Sequence, residues 1–455
     1  MAKNIVEEVA AAPAVALEKT LASTSKVVQE LPGRSTLKKA KDYWHSLGPG
    51  LTTGASDDDP SGIATYSQTG AQFGFQLLWL SAFTFPLMSI VQEMCARIGL
   101  VTGRGLAANI RVHFPRSILY TTAFLLFAAN SFNIGANLGA MAEGMRLIFP
   151  IFDFSVLVII FAIGSLLLQI FTPYARYAKY LKWLAFILLA YIFSAVLVNL
   201  DWSEVGRAAV IPSLTFSKSQ IIMVCAILGT TISPYLFFWQ TSQEVEEQIA
   251  DGRTTLASRQ GATDDEIKRM RTDVWSGMFL SNVVMFFIIA ACAAVLFSNG
   301  VTDITSSAQA AEALRPFAGD WTFFLFAIGI IGTGLLAIPV LAGSASYALS
   351  ESFGWKEGLG RPLKQAHGFY GVIIISMLLG LALNFIGLNP IRVLIYSAVA
   401  NGIVAPVILY LIVRLSRDPR IMGSRANSWL TNFFGWFVVI LMSLASLATI
   451  ISFFL

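Results

Sequence analysis

The stretch TTGASDDDPSGIATYSQTG, from Thr52 to Gly70, places three consecutive aspartates inside a segment that is otherwise apolar or weakly polar. Pro60 follows the three acids directly. Because proline lacks a main-chain N–H and clashes with the preceding helical turn, a helix that crosses this stretch must break there. No Lys or Arg lies in the same stretch to neutralise the acids. The stretch therefore predicts a broken helix whose break carries negative charge.

The composition around this stretch is that of a membrane protein. Of the 455 residues, 56% are hydrophobic and only 13% are charged, against about 25% charged residues in soluble domains. We therefore predict a multi-pass protein of the cell membrane. Residues 1–42 are polar and Ala-rich, and we expect them to form a cytoplasmic N-terminal tail.

The apolar segments predict the helix count and topology. A membrane-spanning helix needs about 20 predominantly apolar residues, and the sequence predicts eleven such helices in an all-α protein. They divide into a first five-helix repeat at residues 43–200, a second, inverted repeat at 218–414 and an eleventh helix at 426–455. Lys and Arg concentrate in the loops after even-numbered helices. The positive-inside rule then predicts a cytoplasmic N-terminus and a C-terminus outside.

A second break is predicted in the sixth helix. The stretch ILGTTISPYLFFWQ, residues 227–240, has a glycine and paired threonines before a proline, as the first break does. Two broken helices at corresponding positions of inverted repeats are typical of secondary transporters, whose substrate sites lie at the breaks. The pattern predicts a transporter with its site between helices 1 and 6.

The side chains at the two breaks favour a hard cation. Adjacent carboxylates in a membrane stay ionised only beside a cation or water. Carboxylate and hydroxyl oxygens suit Mg²⁺, Ca²⁺ and Mn²⁺, whereas thioether and thiolate suit softer metals. Because Mg²⁺ sheds its water reluctantly, an acidic, hydroxyl-lined pocket favours an ion that keeps part of its water shell. A hydrated vestibule without a specific site and a proton relay without a metal remain alternatives.

The sequence resembles the Nramp family of divalent-metal transporters over nearly all of its membrane region. The resemblance is clearest in GPGLTTGASDDDPSGIATYSQTGAQFG (residues 48–74), ARIGLVTGRGLA (96–107) and GTTISPYLFFW (229–239). It implies a LeuT-like fold with two inverted five-helix repeats and broken helices 1 and 6. It also implies transport of a divalent metal ion by alternating access, with no cofactor.

Several positions depart from the family pattern, and most of these departures remove a soft metal ligand or a titratable side chain. The family's D-P-G-N motif reads DPSG at residues 59–62, and its M-P-H motif, whose Met sulfur binds a transition metal, reads SPY at residues 233–235. A second family histidine corresponds to Gln240, and the proton-linked Asp and Glu of helix 3 align with Asn133 and Ala136. This loss of soft and titratable groups resembles the Nramp-related magnesium transporter branch, which moves Mg²⁺ and Mn²⁺ without proton coupling.

The resemblance and the residue types give a predicted metal site. Asp59 matches the family motif and is the first predicted ligand, with Asp58 as a second ligand, direct or through water. Asp57 is placed at the pocket entrance, because three adjacent residues of a helical turn cannot all face one point. The remaining candidates are the main-chain carbonyl of Thr230, the hydroxyls of Ser233 and Thr231, and Asn401 on the tenth helix. For Asn401, an interhelical hydrogen bond is an equal alternative.

The leading functional prediction is uptake of partly hydrated Mg²⁺, and of Mn²⁺, without proton coupling. Two charges entering a cell at about 100 mV gain about 4.6 kcal/mol, so no proton gradient is required. The alternatives are a proton-coupled Mn²⁺/Fe²⁺ transporter of ordinary Nramp type, a cation-sensing receptor and a sodium-coupled amino-acid transporter. The aspartates disfavour the last, since they would repel a substrate carboxylate.

We expect no enzyme activity, because the sequence has no phosphate-binding loop, nucleophile elbow or metallohydrolase spacing. The expected partners are the divalent metal ion and the lipid bilayer, with no nucleic acid. The oligomeric state is left open by the sequence.

Overall fold

A computed structural model of the chain describes residue 43 and residues 47–172, 174–198, 200–304, 307–387 and 390–454. Throughout these residues the regular elements are helices and no strand occurs, so the all-α prediction is confirmed for them. The predicted tail at residues 1–42 lies outside the described residues.

The first part of the chain forms nine α-helices within the described ranges: α1 (Pro49–Asp57), α2 (Pro60–Phe73), α3 (Trp79–Thr102), α4 (Leu106–His113), α5 (Arg116–Ile148), α6 (Phe154–Phe171), α7 (Tyr174–Leu184), α8 (Leu189–Val196) and α9 (Trp202–Val210). The second part of the described chain forms α10 (Lys218–Thr231), α11 (Pro234–Ala250), α12 (Leu256–Arg259), α13 (Asp264–Val295), α14 (Ser307–Phe353), α15 (His367–Leu383), α16 (Pro390–Arg417), α17 (Pro419–Met422) and α18 (Trp429–Phe454). Short 3-10 turns are present at Gly74–Leu77, Ala185–Leu188, Phe297–Asn299, Leu363–Gln365 and Gly423–Arg425.

Fewer of these helices than predicted meet the requirements of a membrane span. Seven described helices are long and apolar enough to cross a membrane, or eight if Pro60–Leu77 and Trp79–Thr102, bent by 106°, are counted as one span. The prediction of eleven spans is therefore not confirmed. One reason is that the predicted first and fifth helices are divided into short pieces, α1 with α2 and α7 with α8, of 9, 14, 11 and 8 residues. The repeat boundaries and the orientation of the termini stay predictions.

Both predicted helix breaks are present. α1 ends at Asp57 and α2 begins at Pro60, while α10 ends at Thr231 and α11 begins at Pro234. Each proline occupies the first turn of the helix that follows it, the position where its missing N–H has no helical partner to lose. α1 contacts α11 and α2 contacts α10, so the two breaks face each other inside the protein.

The half-helix α1 is held at its N-terminus by a carboxylate from α13. Asp273 is buried and accepts three main-chain hydrogen bonds, from Gly48 N at 2.8 Å, Gly50 N at 2.7 Å and Leu51 N at 3.0 Å. These are N–H groups that a helix start leaves without internal partners. A negative charge at this end also complements the helix dipole.

Glycines bring α1 and α13 into main-chain contact. A Cβ atom added to Gly54 would overlap the carbonyl of Gly277, and one added to Gly277 would overlap the carbonyl of Gly50. Small residues allow this close approach between membrane helices, where van der Waals packing supplies much of the association energy. The next half-helix, α2, contacts α5, α14 and α16. The first break is thus enclosed by several helices.

Candidate metal-binding site

The three aspartates occupy successive positions through the first break. Asp57 is the last residue of α1, Asp58 is non-helical with φ −85° and ψ 46°, and Asp59 is the N-cap of α2. All three side chains are 0% exposed. Because the three residues have different backbone conformations, their carboxylates have different surroundings.

Asp59 is held by hydrogen bonds on both of its oxygens. Oδ1 accepts from Ser61 Oγ at 2.5 Å and from Gly62 N at 2.8 Å, which fixes it to the first turn of α2. Oδ2 accepts from the side-chain amides of Asn133 at 3.0 Å and Asn137 at 3.1 Å, both on α5. Four donors to one buried carboxylate stabilise its ionised form and fix its orientation, as a ligand needs.

Asp57 and Asp58 have far fewer partners. Asp57 Oδ2 accepts from Ser281 Oγ of α13 at 2.7 Å. Asp57 Oδ1 and both oxygens of Asp58 are buried and have no hydrogen-bond partner among the described residues. Buried polar atoms without partners are rare in native structures and call for an explanation. A cation, alone or with its water shell, would satisfy all three oxygens.

Neutral oxygens at the second break and on neighbouring helices are also without partners. Within the described part of the chain this holds for the hydroxyl of Ser233, the N-cap of α11, and for the side-chain oxygen of Asn401 on α16. The side-chain oxygens of Asn133 and Asn137 share this property, although their amides bind Asp59. These atoms are hydrogen-bond acceptors or metal ligands, and the Ser233 hydroxyl can also donate to a water.

The paired threonines of α10 have different surroundings. Thr231 Oγ1 donates a hydrogen bond to the main-chain oxygen of Ile227 at 2.9 Å, within its own helix. Toward any other group, this hydroxyl can therefore act only through its oxygen lone pairs. Thr230 faces the first break, since a Cβ atom added at Gly62 would lie 3.3 Å from its Oγ1. Of the two, Thr230 is the one seen to face α2.

Tyr235 links the two breaks directly. Its hydroxyl donates to the main-chain oxygen of Ser56 at 2.8 Å. That carbonyl is one of those the C-terminal end of α1 leaves without a helical partner. Tyr235 therefore connects α11 to the end of α1.

The acidic groups do not form a ready-made cage. Across the described residues, no group of three or more His, Cys, Asp or Glu side chains is arranged to hold a metal ion. Three adjacent residues of a helical turn cannot all face one point. A metal here would combine one or two carboxylates with neutral oxygens. The break segments at residues 57–62 and 229–235 contain no Met, Cys or His.

Two residues of this site were missed by the sequence reasoning. Asn137 lies four residues after Asn133, on the same face of α5, so helical spacing could have indicated it. Ser281 is one of three hydroxyl residues of α13, with Thr272 and Ser276, and no local signal distinguishes it from a serine that bonds to its own helix, as Ser276 does.

Solved structures with similar folds support a LeuT-like arrangement of the helices. The manganese transporter of Eremococcus coleocola superposes with a TM-score of 0.72 at 20% identity, covering 92% of this chain and 88% of that one. The nucleobase-cation-symport-1 family transporter Mhp1 gives 0.55 at 15% identity in a closed conformation, covering 89% of this chain and 92% of that one. Its inward-facing conformation gives 0.51 at 14% identity, covering 89% and 90%.

The sequence match identifies the family. The profile of the natural resistance-associated macrophage protein-like (Nramp) family matches residues 50–452, nearly the whole described chain. Proteins of this family are transporters rather than enzymes, and they need no cofactor, since the metal is their substrate. The chain therefore belongs to the Nramp family and is a multi-pass membrane transporter of divalent metal ions.

Proposed function

We propose that this chain carries Mg²⁺, and also Mn²⁺, into the cell, partly hydrated, without proton coupling and by alternating access. The observation that carries the proposal is a set of buried oxygens at the two breaks that have no hydrogen-bond partner within the described ranges. Three belong to Asp57 and Asp58 and one to Ser233. All are hard donors, and hard donors suit Mg²⁺ and Mn²⁺.

The mixture of charged and neutral oxygens supports a partly hydrated ion. Mg²⁺ usually keeps several waters and is bound through one or two carboxylates. In the proposal, Asp59 and Asp58 bind the ion, and Asp57, held by Ser281, lies at the entrance. The neutral oxygens of Ser233, Thr231, Asn401 and the main chain at Thr230 accept hydrogen bonds from its waters or bind it directly.

The surroundings of Asp59 support transport without protons. Its two partners on α5 are the amides of Asn133 and Asn137, which neither gain nor lose a proton near neutral pH. Ala136 between them has no titratable group. The two acids through which the resemblance would carry a proton are thus replaced by Asn133, which holds Asp59 in place, and by Ala136, which has no proton to exchange.

We also propose the predicted orientation, with the N-terminus in the cytoplasm and the C-terminus outside. The loops rich in Lys and Arg after α3, α11, α14 and α16 border two neighbouring cavities at one end of the helical bundle. Such clustering at one end supports a single cytoplasmic face under the positive-inside rule.

Ion uptake into proteoliposomes tests the proposal. A Mg²⁺-sensitive dye and a pH dye are read together at fixed, inside-negative potential. Asp58→Asn serves as the transport-deficient variant and Asp153→Asn, an exposed helix cap on α6, as the control. We expect Mg²⁺ influx without acidification in the native protein and in the control. Mn²⁺ influx with acidification and no Mg²⁺ signal would exclude the proposal.

One observation favours a second candidate, a proton-coupled Mn²⁺ or Fe²⁺ transporter. A Cβ atom added to Gly334 on α14 would overlap the sulfur of Met141 and lie 3.5 Å from the ring of Pro60, so a thioether lies near the first break. If that sulfur reaches the ion, softer metals gain affinity over Mg²⁺. Met141→Leu then reduces Mn²⁺ uptake in the same assay, whereas our proposal expects no change.

A further inference from the structure

A cavity of about 540 Å³ lies at the end of the bundle where α3 meets α4, and it shares no residue with the two helix breaks. Its size is within the range of small-molecule sites. We call it the basic pocket. Its wall combines the α3–α4 connection, α4, the connection between α12 and α13, and α17 with the following turn. The polar and charged side chains used below are Arg104, His113, Gln260, Arg420, Ser424 and Arg425.

The charged side chains that line the basic pocket are all cationic. Arg104 is half-buried and forms no ion pair with any of the described residues. No Asp or Glu lines the cavity within the described ranges. A half-buried arginine without a carboxylate leaves five N–H donors for water or a ligand.

The other two arginines are held by carboxylates of residues that do not line the cavity. Asp418 accepts from Arg420 Nε at 3.1 Å and Nη2 at 2.8 Å. Asp264 accepts from Arg425 Nη1 at 2.6 Å, and the carbonyl of Ala262 accepts from Arg425 Nη2 at 3.2 Å. Each contact uses only part of the five-donor guanidinium. The carboxylates thus fix the direction of the two arginines, while the remaining N–H groups stay available.

The titration of His113 agrees with a positive potential in the pocket. Partial burial lowers the pKa of His113, and the charges of Arg104 and Arg420 lower it further, against an opposing effect of Asp418. The His113 ring is therefore neutral near pH 7 and can donate or accept a hydrogen bond. Hydrogen bonds from Arg420 lower the pKa of Asp418 to about 2, so this ion pair persists at neutral pH.

We propose that the basic pocket binds a phosphate group. Arginine forks match phosphate oxygens with paired hydrogen bonds, and a neutral histidine and the Ser424 hydroxyl add uncharged donors. The cavity is larger than a single phosphate needs, so the group belongs to a larger molecule. That molecule is a soluble polyphosphate such as a nucleotide, or a phospholipid with a phosphomonoester headgroup.

Binding there would tie together segments that lie far apart in sequence. The pocket is the meeting point of the connections after α3, α11 and α16. A ligand that binds the folded state alone raises the unfolding midpoint in proportion to the logarithm of its concentration. Thermal stability therefore reports on this pocket without a transport assay.

The test uses the full chain purified in detergent, with EDTA present so that no divalent ion contributes. Pyrophosphate and ATP are the soluble probes. Phosphatidylcholine vesicles with and without phosphatidic acid, with the protein reconstituted, are the lipid probes. The variant is Arg104→Gln, which breaks no ion pair among the described residues. The control is Arg269→Gln, an exposed arginine that does not line the pocket.

We expect at least one probe to raise the unfolding midpoint of the native protein. We expect Arg104→Gln to weaken that probe's binding about tenfold, and Arg269→Gln to leave it unchanged. A response to pyrophosphate or ATP identifies a soluble polyphosphate as the source, and a response to phosphatidic acid alone identifies a lipid headgroup. No shift with any probe, or equal effects of the two variants, would overturn the proposal.

This inference is independent of the proposed ion selectivity. The basic pocket contains none of the aspartates, so Asp58→Asn is expected to retain phosphate binding while transport is lost. Loss of one property without the other shows which of the two proposals has failed.

Discussion

Replacing Asp58 by Asn separates the role of this residue in binding from any role in folding. Both carboxylate oxygens of Asp58 are buried without a hydrogen-bond partner in the described part of the chain. The substitution keeps the size of the side chain and removes one negative charge. Among the described residues no hydrogen bond is lost with the charge, so we expect the stability of the metal-free protein not to fall.

We expect the effect of Asp58→Asn on metal binding to be larger than its effect on the stability of the metal-free protein. An interaction with a charged group contributes about 1.5–3 kcal/mol, so losing it raises Kd by about tenfold or more. At a metal concentration of about 100 times the native Kd, binding stabilises the native protein by about 2.7 kcal/mol. With a tenfold weaker Kd, the variant retains only about 1.4 kcal/mol.

Asp59→Asn is the matched comparison, because it changes the same chemical group with different partners. Its new NH₂ group would face either the amide donors of Asn133 and Asn137 or the donors of its own helix, the Ser61 hydroxyl and the Gly62 N–H. Two buried hydrogen bonds are lost, at about 1–3 kcal/mol each. We therefore expect this variant to lose stability even without metal.

Thermal unfolding with and without Mg²⁺, followed by uptake in proteoliposomes, distinguishes the two variants. We expect Asp58→Asn to keep the metal-free unfolding midpoint, lose much of the Mg²⁺-dependent shift and lose uptake. Full Mg²⁺ stabilisation and full uptake in Asp58→Asn would refute the assignment of this carboxylate as a ligand. A large loss of metal-free stability would refute the inference that its oxygens lack partners.

Three further substitutions test other parts of the structure. Ser233→Met places a thioether at the second break, and we expect the preference for Mn²⁺ over Mg²⁺ to rise about tenfold or more in competitive uptake. Asp273→Ala leaves three N–H groups of α1 without an acceptor, and we expect the unfolding free energy to fall by about 3 kcal/mol, measured as a lower thermal midpoint. Gly54→Ala forces a methyl group against the carbonyl of Gly277, and we expect a loss of about 1–3 kcal/mol and less monodisperse protein in size-exclusion chromatography.

Each of these substitutions has a control in the same chain. Ser233→Ala removes the hydroxyl without adding sulfur, and an equal selectivity change there would contradict the role of the thioether. Asp273→Asn keeps one oxygen and should retain part of the lost stability. Gly164→Ala adds a methyl group where, apart from the backbone of its own helix, no atom of the described residues lies within 4 Å, so it should be neutral or stabilising. If it destabilised as much as Gly54→Ala, steric overlap would not be the cause.

The helix breaks were predictable because their signals are local. Pro60 and Pro234 each remove an N–H within a few residues of glycines, and both breaks are where the sequence places them. The position of Asp59 as the N-cap of α2 follows from the same short stretch. Aspartate is a preferred N-cap residue, and a proline at the first helical position is common.

The remaining parts of the site depend on tertiary packing and were not predictable from one sequence. Ser281 reaches Asp57 only because glycine contacts bring α13 against α1. Asn133 was predicted on the third helix, which is α5 in the structure, but its hydrogen bond to Asp59, shared with Asn137, requires the packing of α5 against α2. The count of eleven spans relied on hydropathy windows, which do not register how short the pieces of a divided helix are.

The close fit of α1 to α13 restricts how the ion can be released. The hydrogen bonds of Asp273 and the main-chain contact at Gly54 and Gly277 join the two helices as one rigid unit. Any motion that opens a path to the aspartates must carry α13 with α1 or break three hydrogen bonds. Since Ser281 and Asp57 belong to this rigid unit, we expect their hydrogen bond to be kept when the unit moves. We therefore expect the moving boundary of the proposed alternating access to lie along the faces that α1 and α2 present to α10 and α11.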